Sequence, residues 1–218
     1  MKLVVLLLLV PSCMKQSEKY CAMHPEDTER CSNGDDAGMA CLGNDECIAL
    51  DPTKPVCTDD RMCVECTVVD DAQCTDGRVC NGRACGDCTA HTQCDSSVCQ
   101  ANGRCADETS VAYVATNGTG SACTLGTPCA DLATAEATDR PIIKVSGTST
   151  SAQPAQFSAR STTIYADPGA SVTRSTQGNI IEVSNDSTEL TIYGLRIFGG
   201  SSTSGNGNAI VVTNQSSA

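Results

Sequence analysis

The 218-residue chain contains no tryptophan, two phenylalanines (Phe157, Phe198) and four tyrosines. A large aromatic core is therefore excluded, although aromatic rings supply the largest buried areas per residue. Basic residues are scarce as well: 14 Lys and Arg stand against 26 Asp and Glu, for a formal charge of −12. That balance argues against a nucleic-acid partner, because phosphates are neutralised by Lys and Arg. Histidine occurs only at positions 24 and 91, and no candidate nucleophile arrangement surrounds either one. Long hydrophobic runs are missing too. The unbroken apolar stretch at residues 3–10 has eight residues, whereas a membrane span needs about 20.

Cysteine is what the chain has in excess, at 17 residues. Reduced compartments rarely load a chain this heavily, so the composition reads as an exported protein with disulfides. The distribution is uneven. Fifteen cysteines lie at or before Cys105. Residues 14–109 carry 19 acidic and 8 basic side chains. Residues 110–218 carry 7 and 5, together with 32 Ser and Thr. This change of chemistry puts a domain boundary near residues 107–110.

Lys2 followed by the apolar run has the form of a signal peptide, residues 1–12. The run ends in Val10-Pro11-Ser12-Cys13, which resembles a bacterial lipobox, although Val10 and Pro11 depart from its usual residues. The resemblance implies cleavage before Cys13, lipidation of its sulfur and, with Met14 next in line, an outer-membrane address. Residues 13–40 then form a polar, lipid-anchored tether. Parity agrees: without Cys13, 16 cysteines remain, an even number as a full disulfide framework requires.

Residues 41–106 read as three tandem four-cysteine repeats. They are Cys41, Cys47, Cys57, Cys63; Cys66, Cys74, Cys80, Cys85; and Cys88, Cys94, Cys99, Cys105. In each, the second cysteine follows Glu or Gln (Glu46, Gln73, Gln93) and the third follows Val (Val56, Val79, Val98). Cys21 and Cys31 precede the repeats, and Cys123 and Cys129 follow them. Four cysteines allow three pairings per repeat, and spacing leaves the choice open. The spacing of Cys63, Cys66, Cys85 and Cys88 also fits a zinc ribbon, which makes a metal-binding protein the second alternative. The preferred reading has no metal and no cofactor. Acidic pairs at Asp35 and Asp36, Asp59 and Asp60, and Asp70 and Asp71 match no EF-hand loop and read as solvated surface. The pattern resembles the cysteine-rich repeats of bacterial surface lipoproteins and, more loosely, the Dickkopf N-terminal cysteine-rich region.

Residues 110–218 read as short strands at 111–115, 142–145, 162–166, 171–173, 179–183, 189–193, 195–198 and 209–213, with a helix at 131–138. Thr163-Ile164-Tyr165 recurs as Thr191-Ile192-Tyr193, 28 residues on. Gly178-Asn179-Ile180-Ile181 recurs as Gly207-Asn208-Ala209-Ile210, 29 residues on. About three strands per such period fit one coil of a parallel β-helix, whose inner face is buried only by stacking on neighbours. The segment resembles the start of a right-handed, pectin-lyase-like β-helix, with residues 113–129 as its N-terminal cap; an immunoglobulin-like sandwich is the structural alternative. The fold class expected is thus mainly β: disulfide-stapled loop and hairpin repeats, then a short, incomplete β-helix of a longer protein.

The resemblance allows for a polysaccharide lyase or glycosidase, and Asp167, Glu182, Asp186, Glu189, Arg174 and Arg196 are the candidate charged groups. No motif pairs two carboxylates among them, so the catalytic set is read as empty and the enzyme is kept as the first alternative. The preferred expectation is a non-catalytic surface protein. It would be membrane-held through its lipid and present a hydroxyl- and amide-rich face to polysaccharide or to other surface proteins. Sequons at Asn117, Asn185 and Asn214 carry little weight if the source is bacterial.

Overall fold

A computed structural model describes residues 41–69, 73–185, 187–199 and 208–213. Cys13 and its lipobox, the tether with Cys21 and Cys31, His24, Asp35, Asp36, Asp70, Asp71, Asp186 and Asn214 lie outside these residues. The chain divides into two compact units, Met1–Cys63 and Val64–Ala218.

The described part of the first unit is the first repeat. It contains helix α1 (Asn44–Leu50) and the short strands β1 (Val56–Cys57) and β2 (Cys63–Val64). Cys41 bridges Cys57 and Cys47 bridges Cys63. In the second unit the next repeat forms an antiparallel hairpin of β3 (Val79–Asn81) and β4 (Ala84–Gly86). Its bridges are Cys66–Cys80 and Cys74–Cys85, and those of the third repeat are Cys88–Cys99 and Cys94–Cys105. All three repeats thus join the first cysteine to the third and the second to the fourth. Each bridge closes 11 to 16 residues, which stabilises a repeat by about 3 kcal/mol where no large core can form.

Beyond the repeats, β5 (Val111–Ala115) and helix α2 (Leu132–Glu136) cap a β-solenoid. Its first coil is β6 (Ile142–Ser146), β7 (Thr148–Ser151) and β8 (Ala155–Ser158). The second is β9 (Ser161–Ala166), β10 (Ser171–Arg174) and β11 (Ile181–Ser184). The third is β12 (Glu189–Tyr193), β13 (Arg196–Ile197) and β14 (Ile210–Thr213). Three parallel sheets result: β5–β6–β9–β12, β7–β10–β13 and β8–β11–β14. Both sequence repeats are structural ones, since Ile164 pairs with Ile192 and Ile181 with Ile210. Strands β7 and β8 were not legible as strands. Thr-Ser-Thr-Ser carries no hydrophobic alternation, and Pro154 interrupts the approach to Ala155 and Phe157.

Inward side chains stack in rows, such as Ala112–Ile143–Ile164–Ile192 and Val114–Val145–Ala166. Phe157 is the largest fully buried side chain, so the core does hold one aromatic ring. At the bend between β6 and β7, Gly147 has φ +73°, and a Cβ there would lie 2.4 Å from Thr116 Oγ1. That hydroxyl receives the Thr148 N–H at 2.7 Å, so Gly is required both for its backbone conformation and for space.

The third repeat packs on the outer face of the first sheet. Tyr113, Lys144 and Tyr165 lie in register there. Tyr113 and Tyr165 form a buried cluster with Val98, Ala106, Val111 and Ile142. The Tyr113 hydroxyl donates to Ser96 O at 2.8 Å, and the Tyr165 oxygen accepts from the Ala101 N–H at 3.2 Å. Residues 107–110, where the composition changes, form a turn in which Asp107 accepts from the Thr109 N–H at 2.8 Å.

Thr162 points into the solenoid core 1% exposed, in register with Leu190, and its hydroxyl has no hydrogen-bond partner. Burying an unpaired hydroxyl costs about 1–3 kcal/mol. Thr162→Val, close in shape, is therefore expected to stabilise the protein by about 1 kcal/mol, read as a higher urea midpoint at unchanged slope.

Candidate functional site

The coil that ends in β11 turns through Gly178, at φ +120°. It delivers Asn179 beside the outer face of the sheet β8–β11–β14. There the strand alternation puts Ala155, Phe157, Ile181 and Val183 inside. Gln156, Ser158, Glu182 and Ser184 consequently face out. Gln156 stands opposite Glu182 and Ser158 opposite Ser184, one inter-strand spacing of about 4.8 Å apart. Together with Asn179 these residues line an open groove of about 340 Å³.

Glu182 is fixed at the centre. Asn179 Nδ2 donates to Oε1 and Gln156 Nε2 to Oε2, both at 3.0 Å. Asn179 is itself held, because its Oδ1 accepts the Asn208 N–H at 3.3 Å. The hydrogen bonds from Asn179 and Gln156, with the Arg174 charge nearby, outweigh partial burial and hold the Glu182 carboxyl below its ordinary range. The groove therefore offers an anion at fixed position, flanked by amides and hydroxyls. Such a set can take hydrogen bonds from a polar ligand.

A second cluster lies where the third repeat covers the first sheet. Lys144 Nζ, 3% exposed, is 2.5 Å from Asp167 Oδ1, and Ser146 Oγ donates to Asp167 Oδ2 at 2.5 Å. Burial alone would raise the Asp167 carboxyl. The Lys144 and Ser146 hydrogen bonds and the Lys144 charge outweigh it and hold the group below the usual carboxylate range. The His91 ring meets Tyr165 edge-on at 5.6 Å, and Tyr165 stacks on Tyr193 at 5.0 Å. His91 Nδ1 accepts the Cys99 N–H at 3.0 Å, so the neutral ring carries its proton on Nε2. Burial, then the Lys144 ammonium, push the imidazole below its ordinary value near 6.5.

The other charged candidates from the sequence are dispersed. Glu189 accepts from Ser161 Oγ at 3.2 Å, Arg174 donates to Asn179 O, and Arg196 stands exposed on β13. The sequence singled out Glu182 as a candidate charged group but did not show Gln156 and Asn179 as its partners. The alternation Ala-Gln-Phe-Ser was the available signal for Gln156. Cys63, Cys66, Cys85 and Cys88 belong to four different bridges rather than to one cluster. The sulfurs that do converge lie within a repeat: those of Cys66, Cys74 and Cys85, for example, are within 4.8 Å of one another. As disulfide sulfurs they are not thiolates, the form that binds metal. Asp59 and Asp60 lie in a turn that Thr58 closes by donating to Asp60.

No protein-family model matches the chain, and no curated protein or solved structure does. Fold and bridges alone define its class, a mainly β protein in which a disulfide-stapled region precedes a β-solenoid of about three turns.

Two outcomes follow from these shifts. Removing the Asn179 amide with Asn179→Ala should raise the Glu182 carboxyl toward its ordinary value, as read by side-chain carboxyl NMR titration. The second concerns acid stability. His91 titrates lower in the folded than in the unfolded state, so its contribution is complete above about pH 6.5 and declines as the unfolded form gains a proton below that. Asp167 adds a second loss as pH falls through the carboxylate range. Urea midpoints should drop in two stages on acidification, and His91→Gln should remove the first.

Proposed function

We propose that the protein is an exported, non-catalytic surface protein, anchored by acyl chains on Cys13, whose β-solenoid presents a glycan-binding groove. The observation that carries this reading is the Gln156–Glu182–Asn179 arrangement, in which a carboxylate is immobilised by two amides beside outward hydroxyls. Sugar hydroxyls need donors and acceptors at fixed positions, and a preorganised set spares the entropy of ordering them. Seven disulfides among the described residues fit an oxidising environment. Among those residues no helix is long and apolar enough to cross a membrane, and acylation supplies an anchor without one.

Anchoring is tested by the intact mass of protein taken from its membrane fraction. Acyl mass on a chain beginning at Cys13, with no alkylation before reduction, is the expected result. An unprocessed Met1 or freely alkylated thiols would overturn it. Binding is tested on a glycan array, where the pair Gln156→Ala and Asn179→Ala should abolish the wild-type signal while the circular dichroism stays unchanged. A signal that survives both changes places binding elsewhere and removes the groove from the reading.

A further inference from the structure

Among the described residues, Glu182 is the only charged one lining the groove. Its two oxygens each accept one amide hydrogen, which leaves further lone pairs on both for a ligand. None of the solenoid's cations lines the groove. Arg140 donates to Val111 O and Cys123 O. Lys144 is held by Asp167, and Arg160 by Glu136 and Asp139. Arg174 is turned to Asn179 O and Thr176. Arg196 belongs to β13, in a different sheet from the groove. Arg174 acts on Glu182 through its charge, but its guanidinium is already engaged and no cation lines the groove itself to receive a ligand carboxylate; the chain as a whole carries −12.

We infer that the groove selects glycans bearing free amino groups, such as oligomers of glucosamine, over neutral ones, and rejects polyuronates. The inference rests on the glycan-binding reading above and adds the sign of the ligand charge. An ammonium can donate to the outward lone pairs of Glu182 at the position that an uncharged acetamido group would occupy. A uronate carboxylate there would face a carboxylate that remains ionised, with only neutral hydroxyl and amide donors to offset the repulsion. A half-exposed ion pair of this kind is worth about 1 kcal/mol or less, so the amino sugar should bind up to about five-fold tighter than its acetylated counterpart. Repulsion should weaken the uronate by a similar factor.

The experiment uses the full chain and three probes of matched length: glucosamine oligomers, their N-acetylated counterparts and oligogalacturonate. They are compared at low ionic strength and a pH at which the amines are protonated. The expected order is amino, then acetylated, then uronate. Glu182→Gln should level it, and high salt should level it in the unaltered protein as well, because exposed charge pairs are screened. The salt arm needs no substitution and so stands even if the variant misfolds. Oligogalacturonate binding as tightly as the acetylated oligomer, or an order unmoved by salt, would overturn the inference while leaving glycan binding intact. Binding of none of the three would overturn the glycan reading itself, and the inference with it.

Discussion

Everything in the solenoid depends on one constraint: a coil of three short strands cannot bury its own inner face. Ile143 and Ile164 are both fully buried because each lies in a row with its neighbours on adjacent coils. The same stacking satisfies the backbone, since every strand of a coil finds its hydrogen-bond partners one coil away. Rows of small aliphatics suffice for this, so a chain without tryptophan can still have a dense interior. On the last described coil, with no described strand beyond it, apolar exposure is higher: Val212, in register with Val183, is 75% exposed, whereas Val183 is buried.

The cysteine region solves the same problem by covalent means. Its repeats are too small for a core, and interleaved bridges take the place of one. The uniform pairing of first with third and second with fourth means that each repeat is locked twice over overlapping stretches. The third repeat does more than brace itself. Val98 and Ala106 bury tyrosines on the outer face of a solenoid sheet, where the buried Lys144 is paired with the partly exposed Asp167. A lysine 3% exposed is tolerated only with its counter-charge in place, and Asp167 supplies that charge.

The candidate groove arises from strand alternation. Because Phe157 and Val183 point inward, Gln156, Ser158, Glu182 and Ser184 must point outward, and parallel register aligns them across coils. The Glu182 carboxylate is then held by groups 26 residues upstream and 3 residues before it. The first separation is one coil, so the site exists only when the coils are stacked.

Much of this architecture was legible in the chain itself. The cysteine spacing marked the repeats, and the Thr-Ile-Tyr recurrence marked the coil length, because both are patterns along one dimension. The short Ala-Gln-Phe-Ser alternation of β8 was masked by Pro154 just before it, and strand β7 was not legible, since its Thr and Ser carry no periodic hydrophobic signal. Nor was the disulfide pairing, which spacing leaves three ways open, nor the packing of the third repeat on Tyr113 and Tyr165. Composition changes sharply near Asp107, yet burial continues across it. The kinds of unit and their order are written along the chain. Which side chains meet is settled by folding, because coil stacking and bridge closure bring together residues whose separation in the chain carries no local trace.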